Sequence, residues 1–310
     1  MKVSVVVPCY NSMPILRTLV EETIKVLSEM GIEDKEFVLV NDCSPNPDTI
    51  VFLKSIADAF PCVKLVDLAK NTGQANAQLA ALNFTTGDIV INMDDDMQTH
   101  PKNIPILLNK LNEGYDLVLG RYPHKRHSLF RNFLTKADDV FEHVFINKPK
   151  DVTFTSFWVV RRYIVDEIIK YKNPYSFMVG LFSRTAGRIT NVEVEHFERA
   201  EGSSGYNIWK LIKLWSNFTG FSILPLRIAG ALGLVMAATA FIWAIVLLIQ
   251  RITGAVSVAG YTSLSCMMLL FFGITLAFMG VMGEYIGRIF MSVNGTPQYV
   301  VKEIYNGEDK

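Results

Sequence analysis

What this chain lacks narrows it first. It has no net charge: 30 Lys and Arg balance 30 Asp and Glu across 310 residues. That argues against a general nucleic-acid binder, so no nucleic acid is expected among its partners. Cysteine is sparse. Cys9, Cys43, Cys62 and Cys266 are scattered, with no CxxC and no Cys/His ligand spacing, and read as reduced, mostly structural thiols in a cytosolic setting. His100, His124, His127, His143 and His196 also lack metal-ligand spacing and read as structural or surface residues. No signal peptide is expected, because Lys2 is followed by a short β-type run and then Pro8. Internal repeats and low-complexity tracts are absent too. The most informative absence is local: residues 228–249 and 255–283 hold no Asp, Glu, Lys or Arg.

As a helix, 228–249 is about 33 Å long, enough to span a hydrocarbon core of ~30 Å. The second uncharged stretch supplies another span at roughly 261–283. Two spans return the chain to its starting side. Arg199, Lys210, Lys213 and Arg227 before them, with Arg288 and Lys302 after, outweigh the lone Arg251 between them. Both termini, and the domain preceding the spans, are therefore expected in the cytoplasm, with the protein multi-pass in a cell (inner) membrane. Just upstream, Ile208, Trp209, Leu211, Ile212, Leu214 and Trp215 are interleaved with Lys210 and Lys213, a composition suited to the membrane interface. The expected organisation is a domain over 1–200, an interfacial amphipathic segment over 201–227, two transmembrane helices within 228–289 and a cytoplasmic tail over 290–310.

The first two hundred residues read as an α/β domain. Val3 to Val7 is a β-branched run stopped by Pro8, a buried parallel strand by length and composition. A helix opens at Pro14 and closes at Gly31. Strands at Glu36–Val40 and Val63–Leu68, helices to about Ala59 and from Ala75 to Phe84, and short connections give right-handed crossovers and an open, mainly parallel sheet. In such sheets ligands sit outside the carboxyl ends of the strands. Tyr10-Asn11, Asn41-Asp42, Lys70-Asn71 and Asp94 to Asp96 all fall there.

The last of these is the most pointed. The apolar strand Ile89-Val90-Ile91 ends in three adjacent carboxylates, Asp94-Asp95-Asp96, then Met97-Gln98 and a helix-opening Pro101. Alternate residues on an extended segment face the same way, so Asp94 and Asp96 can share one pocket while Asp95 faces elsewhere. A hard divalent cation, Mg²⁺ or Mn²⁺, takes one or two such carboxylates plus phosphate oxygens. The plainer alternative is a solvated acidic turn. Further on, Lys125, Arg126 and Arg131 form a basic patch, candidates for phosphate or lipid-headgroup contacts or merely a solvated face. The apolar stripe from Phe130 to Phe145 suits either core packing or a surface resting on lipid.

With these residues in place, the chain resembles an inverting glycosyltransferase of family 2 with the GT-A (Rossmann-like) fold. More narrowly, it is similar to membrane-anchored polyprenyl-phosphate glycosyltransferases, such as dolichol-phosphate mannose synthase, bactoprenol glucosyltransferase and undecaprenyl-phosphate aminoarabinose transferase. Val5-Val6-Val7-Pro8-Cys9-Tyr10-Asn11 resembles the opening strand and loop, with Ser12 where an acid is common. Val40-Asn41-Asp42-Cys43-Ser44 resembles VDDGS, Lys70-Asn71-Thr72-Gly73-Gln74 resembles RNxGQ, and Met93 to Gln98 resembles MDADLQ. Gly120 and Arg121 fall in the next family strand. Arg199, Gly202, Ser204 and Tyr206 resemble the RxxGxSxY loop near the membrane.

The resemblance implies a nucleotide-sugar donor of UDP or GDP type, bound by Pro8, Tyr10, Asn11, Asp42 (at the nucleobase), Lys70, Asn71, Gln74, Asp94, Arg121 and Arg199. It implies a divalent cation on Asp94 and Asp96, with Arg199 at the diphosphate and Gln98 orienting sugar or acceptor. The acceptor is a polyprenyl (undecaprenyl-type) phosphate arriving from the membrane, with Ser204 and Tyr206 joining the basic patch as candidate contacts; a homo-oligomer is allowed. One departure matters. Ser156 stands where many relatives carry an acid that is a candidate base, and Asp151 is the nearest acid upstream. Two rivals remain: a processive polysaccharide synthase, which normally needs more spans and a QxxRW motif, and a membrane protein that binds nucleotide-sugar without turnover.

Overall fold

The computed structural model describes residues 1–12, 14–122, 143, 148–149, 151–195, 224–253 and 260–307. The chain divides into two compact units, Met1–Lys210 with Gly295–Lys310, and Leu211–Asn294.

The axis of the first unit is β1 (Val3–Cys9), whose β-branched residues are buried on both faces, as expected of a parallel strand covered by helices. Helix α1 (Ile15–Glu29) turns Leu16, Leu19, Val20 and Leu27 into the core. Gly31 ends it in the left-handed region, at φ +73°, which a residue without Cβ enters at no steric cost. The chain then runs outward through β2 (Lys35–Asn41), α2 (Pro47–Ala59) and β3 (Val63–Leu68), each strand parallel to the last. Helix α3 (Gln74–Asn83) carries it back across, and β4 (Ile89–Asn92) pairs parallel with the other side of β1. The strand order therefore reverses between β1 and β4. Such a switch point opens a crevice at the carboxyl ends of the two strands.

Past β4 come a short 3₁₀ turn (Pro101–Asn103), α4 (Ile104–Asn112), β5 (Leu117–Arg121), β6 (Trp158–Arg161), α5 (Arg162–Ile168), α6 (Met178–Thr185) and β7 (Ile189–Glu193). Strand β6 lies antiparallel between β4 and β5, with Asn92 opposite Trp158. That direction decides what reaches the crevice. The residues leading into β6, Ser156 and Phe157, arrive beside the carboxyl end of β4.

A last strand, β8 (Val301–Asn306), pairs antiparallel with β3, giving the sheet order β7-β5-β6-β4-β1-β2-β3-β8. The expected α/β class with a mainly parallel sheet holds. The sequence predicts only a tail over 290–310; the structure makes Val301–Asn306 an edge strand of the sheet. Lys54 Nζ to Glu303 (2.7 and 2.9 Å) and the Tyr305 hydroxyl to Asp58 (2.7 Å) fasten it to α2.

The second unit contains α7 (Leu224–Ile252) and α8 (Tyr261–Val293). Each includes a stretch long and apolar enough to cross a membrane, Leu224–Trp243 and Leu270–Val293, overlapping the spans expected from sequence. Residues 123–142 and 196–223, which carry the basic patch, most of the amphipathic stripe and the interfacial Trp/Lys run, lie outside the described residues.

Candidate active site

The crevice at the switch point is a cleft of about 550 Å³. Pro8 lines it from β1 and Tyr10 from just past that strand, Asp42 from just past β2, Asn71 from the loop before α3 and Gln74 from its first residue, and Asp94, Asp96 and Gln98 from the turn after β4. Eight of the expected residues thus converge. A hollow of about 300 Å³ at the amino ends of the strands, lined by Lys2, Lys35, Glu36 and Lys64 among others, contains none of them.

Asp42 is buried, and its carboxylate is turned into the neighbouring loop. Oδ1 accepts from the Thr72 backbone N–H (2.7 Å) and hydroxyl (2.9 Å), and Oδ2 accepts from the Gly73 N–H (2.8 Å). Gly73 has φ +84°, so its freedom from a Cβ lets the chain swing these donors onto Asp42 before α3 begins. Asn71 Nδ2 adds a bond to the Asp42 carbonyl (3.2 Å). Asp42 therefore anchors the Lys70–Gln74 loop as well as lining the cleft.

The three acids after β4 separate into distinct roles. Asp94 accepts from Gln74 Nε2 at 2.9 Å on Oδ1 and from the Ser156 hydroxyl on Oδ2. Asp95 turns toward the β1 loop, where the Ser12 hydroxyl donates to it. Burial pushes the Asp95 carboxyl above its ordinary range and the neighbouring Asp96 charge adds to this, while the Ser12 bond opposes both. Asp96 Oδ1 accepts from the Gln98 N–H (3.1 Å) across Met97, which sits at φ +58°. The Tyr122 phenol, just past β5, is held well above its usual range by burial and then by the charges of Asp94 and Asp96. It stays a neutral donor in the field of both.

Not every expected residue enters the cleft lining. Asn11, at φ +54°, holds the rim through its N–H to Ser44 Oγ (2.9 Å). Lys70 is exposed on the adjoining loop, Arg121 is half-buried at the end of β5, and Asp151 is exposed on a turn; none of the three lines the cleft. Arg199, Lys125, Arg126, Arg131, Ser204 and Tyr206 lie outside the described residues. Conversely, Asp95, expected to face elsewhere, lines the cleft as well, because its bond from Ser12 keeps it at the β1 loop that forms one wall, and Ser156, notable in the sequence only as a missing acid, lines it too; Tyr122, which nothing in the sequence marks, adds to the site's charge environment.

Among the described residues no group of three or more His, Cys, Asp or Glu is placed to hold a metal ion. Two carboxylates on one turn, both hard oxygen donors, nevertheless fit the Mg²⁺ and Mn²⁺ pattern in which substrate phosphates supply further oxygens. The donor chemistry of Asp94 and Asp96 suits such an ion.

Comparison with known proteins places this geometry in context. The family profile described as Glycosyl transferase family 2 matches residues 4–169. The undecaprenyl-phosphate 4-deoxy-4-formamido-L-arabinose transferase of Proteus mirabilis is 32% identical over 306 residues, covering 98% of this chain and 94% of that protein. The protein of the same name from Photorhabdus laumondii is 30% identical over 312 residues, covering 100% and 95%. Among solved structures, glucosyl-3-phosphoglycerate synthase from Mycobacterium tuberculosis, crystallised with Mn²⁺, UDP and phosphoglyceric acid, aligns with a TM-score of 0.50 at 18% identity, over 70% of this chain and 76% of that one. That likeness is one of fold.

Proposed function

The chain belongs to glycosyltransferase family 2, and from that premise we propose that it moves a single sugar, with inversion, from a nucleotide-diphosphate sugar to an undecaprenyl-type phosphate at the cytoplasmic face of a membrane. The observation that carries the reading is the convergence of Asp42, Gln74, Asp94, Asp96 and Gln98 on one cleft at the β1/β4 switch point.

In this reading Tyr10, Asp42 and the loop that Asp42 anchors seat the nucleotide, UDP or GDP. Asp94 and Asp96 hold a divalent cation, Mg²⁺ or Mn²⁺, which when bound supplies positive charge to the leaving diphosphate. Gln74 and Ser156 fix the carboxylate of Asp94 for that task. Gln98 orients sugar or acceptor beside Asp96. Arg199 adds a second positive charge at the diphosphate. The acceptor phosphate attacks the anomeric carbon, the bond from that carbon to the diphosphate breaks, and nucleoside diphosphate leaves. Lys125, Arg126, Arg131, Ser204 and Tyr206 receive the lipid phosphate, and α7 and α8 hold the enzyme in the bilayer from which that lipid comes. The relatives' names make 4-deoxy-4-formamido-L-arabinose the first sugar to try.

The test is transfer by purified full-length protein from a panel of radiolabelled nucleotide sugars to undecaprenyl phosphate. The expected product is organic-extractable and carries one sugar. A polymer would favour a processive synthase, and retained binding without transfer would favour a non-catalytic role; either contradicts the proposal.

A further inference from the structure

We propose that the C-terminal strand β8 sets the geometry of the donor loops through a polar relay centred on the buried Asn41–Asp67 pair, with Lys302 as its positioning residue. The inference rests on the reading of the cleft as a nucleotide site.

The relay runs from the sheet edge to the rim of the cleft. Lys302 Nζ lies 3.3 Å from Asp67 Oδ2, and the Asp67 side chain is only 5% exposed, against 67% for the lysine. Asp67 Oδ1 accepts from Asn41 Nδ2 at 2.7 Å. Asn41 Oδ1 in turn accepts from Ser44, through its hydroxyl (2.6 Å) and its N–H (3.2 Å). Ser44 Oγ then accepts from the Asn11 N–H at 2.9 Å. The Ser44 hydroxyl donates to Asn41 and accepts from Asn11, and the Asn41 amide donates from nitrogen and accepts at oxygen, so from Asn11 to Asp67 every donor points toward the carboxylate, which Lys302 meets from the other side.

The loops it ties are the ones that need holding. Asn11 and Cys43 both sit in the left-handed region, at φ +54° and +51°; asparagine enters it readily, whereas cysteine is held there against its steric preference. Their neighbours Tyr10 and Asp42 line the cleft. The approach to β8 touches the third donor loop as well, since the Val300 carbonyl accepts from Ala69 N–H (2.8 Å) one residue before Lys70. Asp67 is a buried carboxylate facing a cation delivered from the far end of the chain. Without that cation its charge is uncompensated, and the Asn41–Ser44–Asn11 geometry loses its fixed end. Residues 294–300 join the last helical residue of α8 to β8, so the donor loops are finished only by chain that comes after both candidate spans.

The test is equilibrium binding of UDP and of GDP, each with Mn²⁺, to full-length protein, combined with steady-state kinetics and hydrogen exchange over residues 9–12 and 41–46. Lys302→Met is expected to weaken nucleotide binding and raise donor KM ~3- to 10-fold, the scale of one charge-assisted contact, with kcat changed by less than about twofold. Exchange in both loops should quicken. Lys302→Arg should restore all three. Lys54→Met removes the cation from Glu303 on the same strand, outside the relay, and should leave binding and loop exchange unchanged. Equal effects from Lys302→Met and Lys54→Met would mean that only docking of the strand matters, and would overturn the relay. So would wild-type binding and exchange in Lys302→Met. A wild-type protein that binds neither nucleotide overturns the donor-site reading instead, and loop exchange in the two variants still decides the relay.

Discussion

The Ser156 hydroxyl donates a hydrogen bond to Oδ2 of Asp94, while Gln74 Nε2 donates to Oδ1 at 2.9 Å. Two neutral donors from two different elements therefore fix one carboxylate at the carboxyl end of β4. An acid at position 156 would repel Asp94; serine holds it. Ser156→Ala removes one bond to a charged group and is expected to lower turnover roughly 10-fold, and Ser156→Asp to lower it further. Steady-state kinetics on folded variants checks this, and wild-type turnover in Ser156→Ala would contradict it.

With serine at 156, the proton of the acceptor becomes the question. A phosphate monoester has a second pKa near ~6, so the acceptor oxygen is largely deprotonated at neutral pH and needs orientation more than a base. Asp151 is exposed on a turn outside the cleft lining. Asp151→Asn is therefore expected to slow turnover by less than about 100-fold, with the acidic limb of the pH–rate profile retained. An inactive, folded Asp151→Asn would identify it as the base.

Much of this site is legible in the sequence alone. The β-branched run of β1 could be read because a strand buried on both faces admits little but apolar residues. The Asp94–Asp96 run stood out because clustered carboxylates at a strand end are costly without a use. The rest depended on direction and distance. Nothing in Thr155-Ser156-Phe157 announces that β6 runs antiparallel, and only that direction brings Ser156 to Asp94. The resemblance implies a nucleobase contact for Asp42, but its bonds to Thr72 and Gly73 are invisible in the sequence because backbone N–H groups leave no mark on it. β8 is not legible in the sequence because Val301 to Asn306 alternates only weakly, and its partner β3 lies more than two hundred residues earlier.

Away from the cleft, Glu36 holds the start of the sheet together. Burial pushes its carboxyl up, but hydrogen bonds from Ser4, from Thr86 and from Lys2 outweigh this and keep it below its ordinary value. A depressed folded-state value means the ionised form stabilises the fold. That contribution is complete above the unfolded-state value and is lost as pH falls through the folded one. Glu36→Gln should therefore lower Tm at pH 7, and the gap from wild type should close toward pH 3. A constant gap across this range would show that charge is not what matters at Glu36.

The two-span arrangement makes a separate claim. In intact cells, a cysteine introduced at Ser257, in the loop between the two expected spans, should react with a membrane-impermeant thiol reagent above the wild-type background. One at Lys25, exposed on α1, should react only after permeabilisation. Labelling of both positions from the same side would contradict the topology and the cytoplasmic placement of the cleft.

The most direct single measurement is Mn²⁺-dependent sugar transfer to undecaprenyl phosphate by Asp96→Ala, beside wild type, with and without chelator. Asp96 sits on the cleft turn, its carboxylate bonded to the Gln98 N–H at 3.1 Å, where it is assigned to the ion that meets the diphosphate. The expected result is a loss of roughly 10²- to 10³-fold in a folded Asp96→Ala, the scale of removing a principal electrostatic stabiliser, and loss of wild-type activity in chelator that added Mn²⁺ restores. Near-wild-type transfer by Asp96→Ala in the presence of chelator would contradict the placement of catalysis at this cleft.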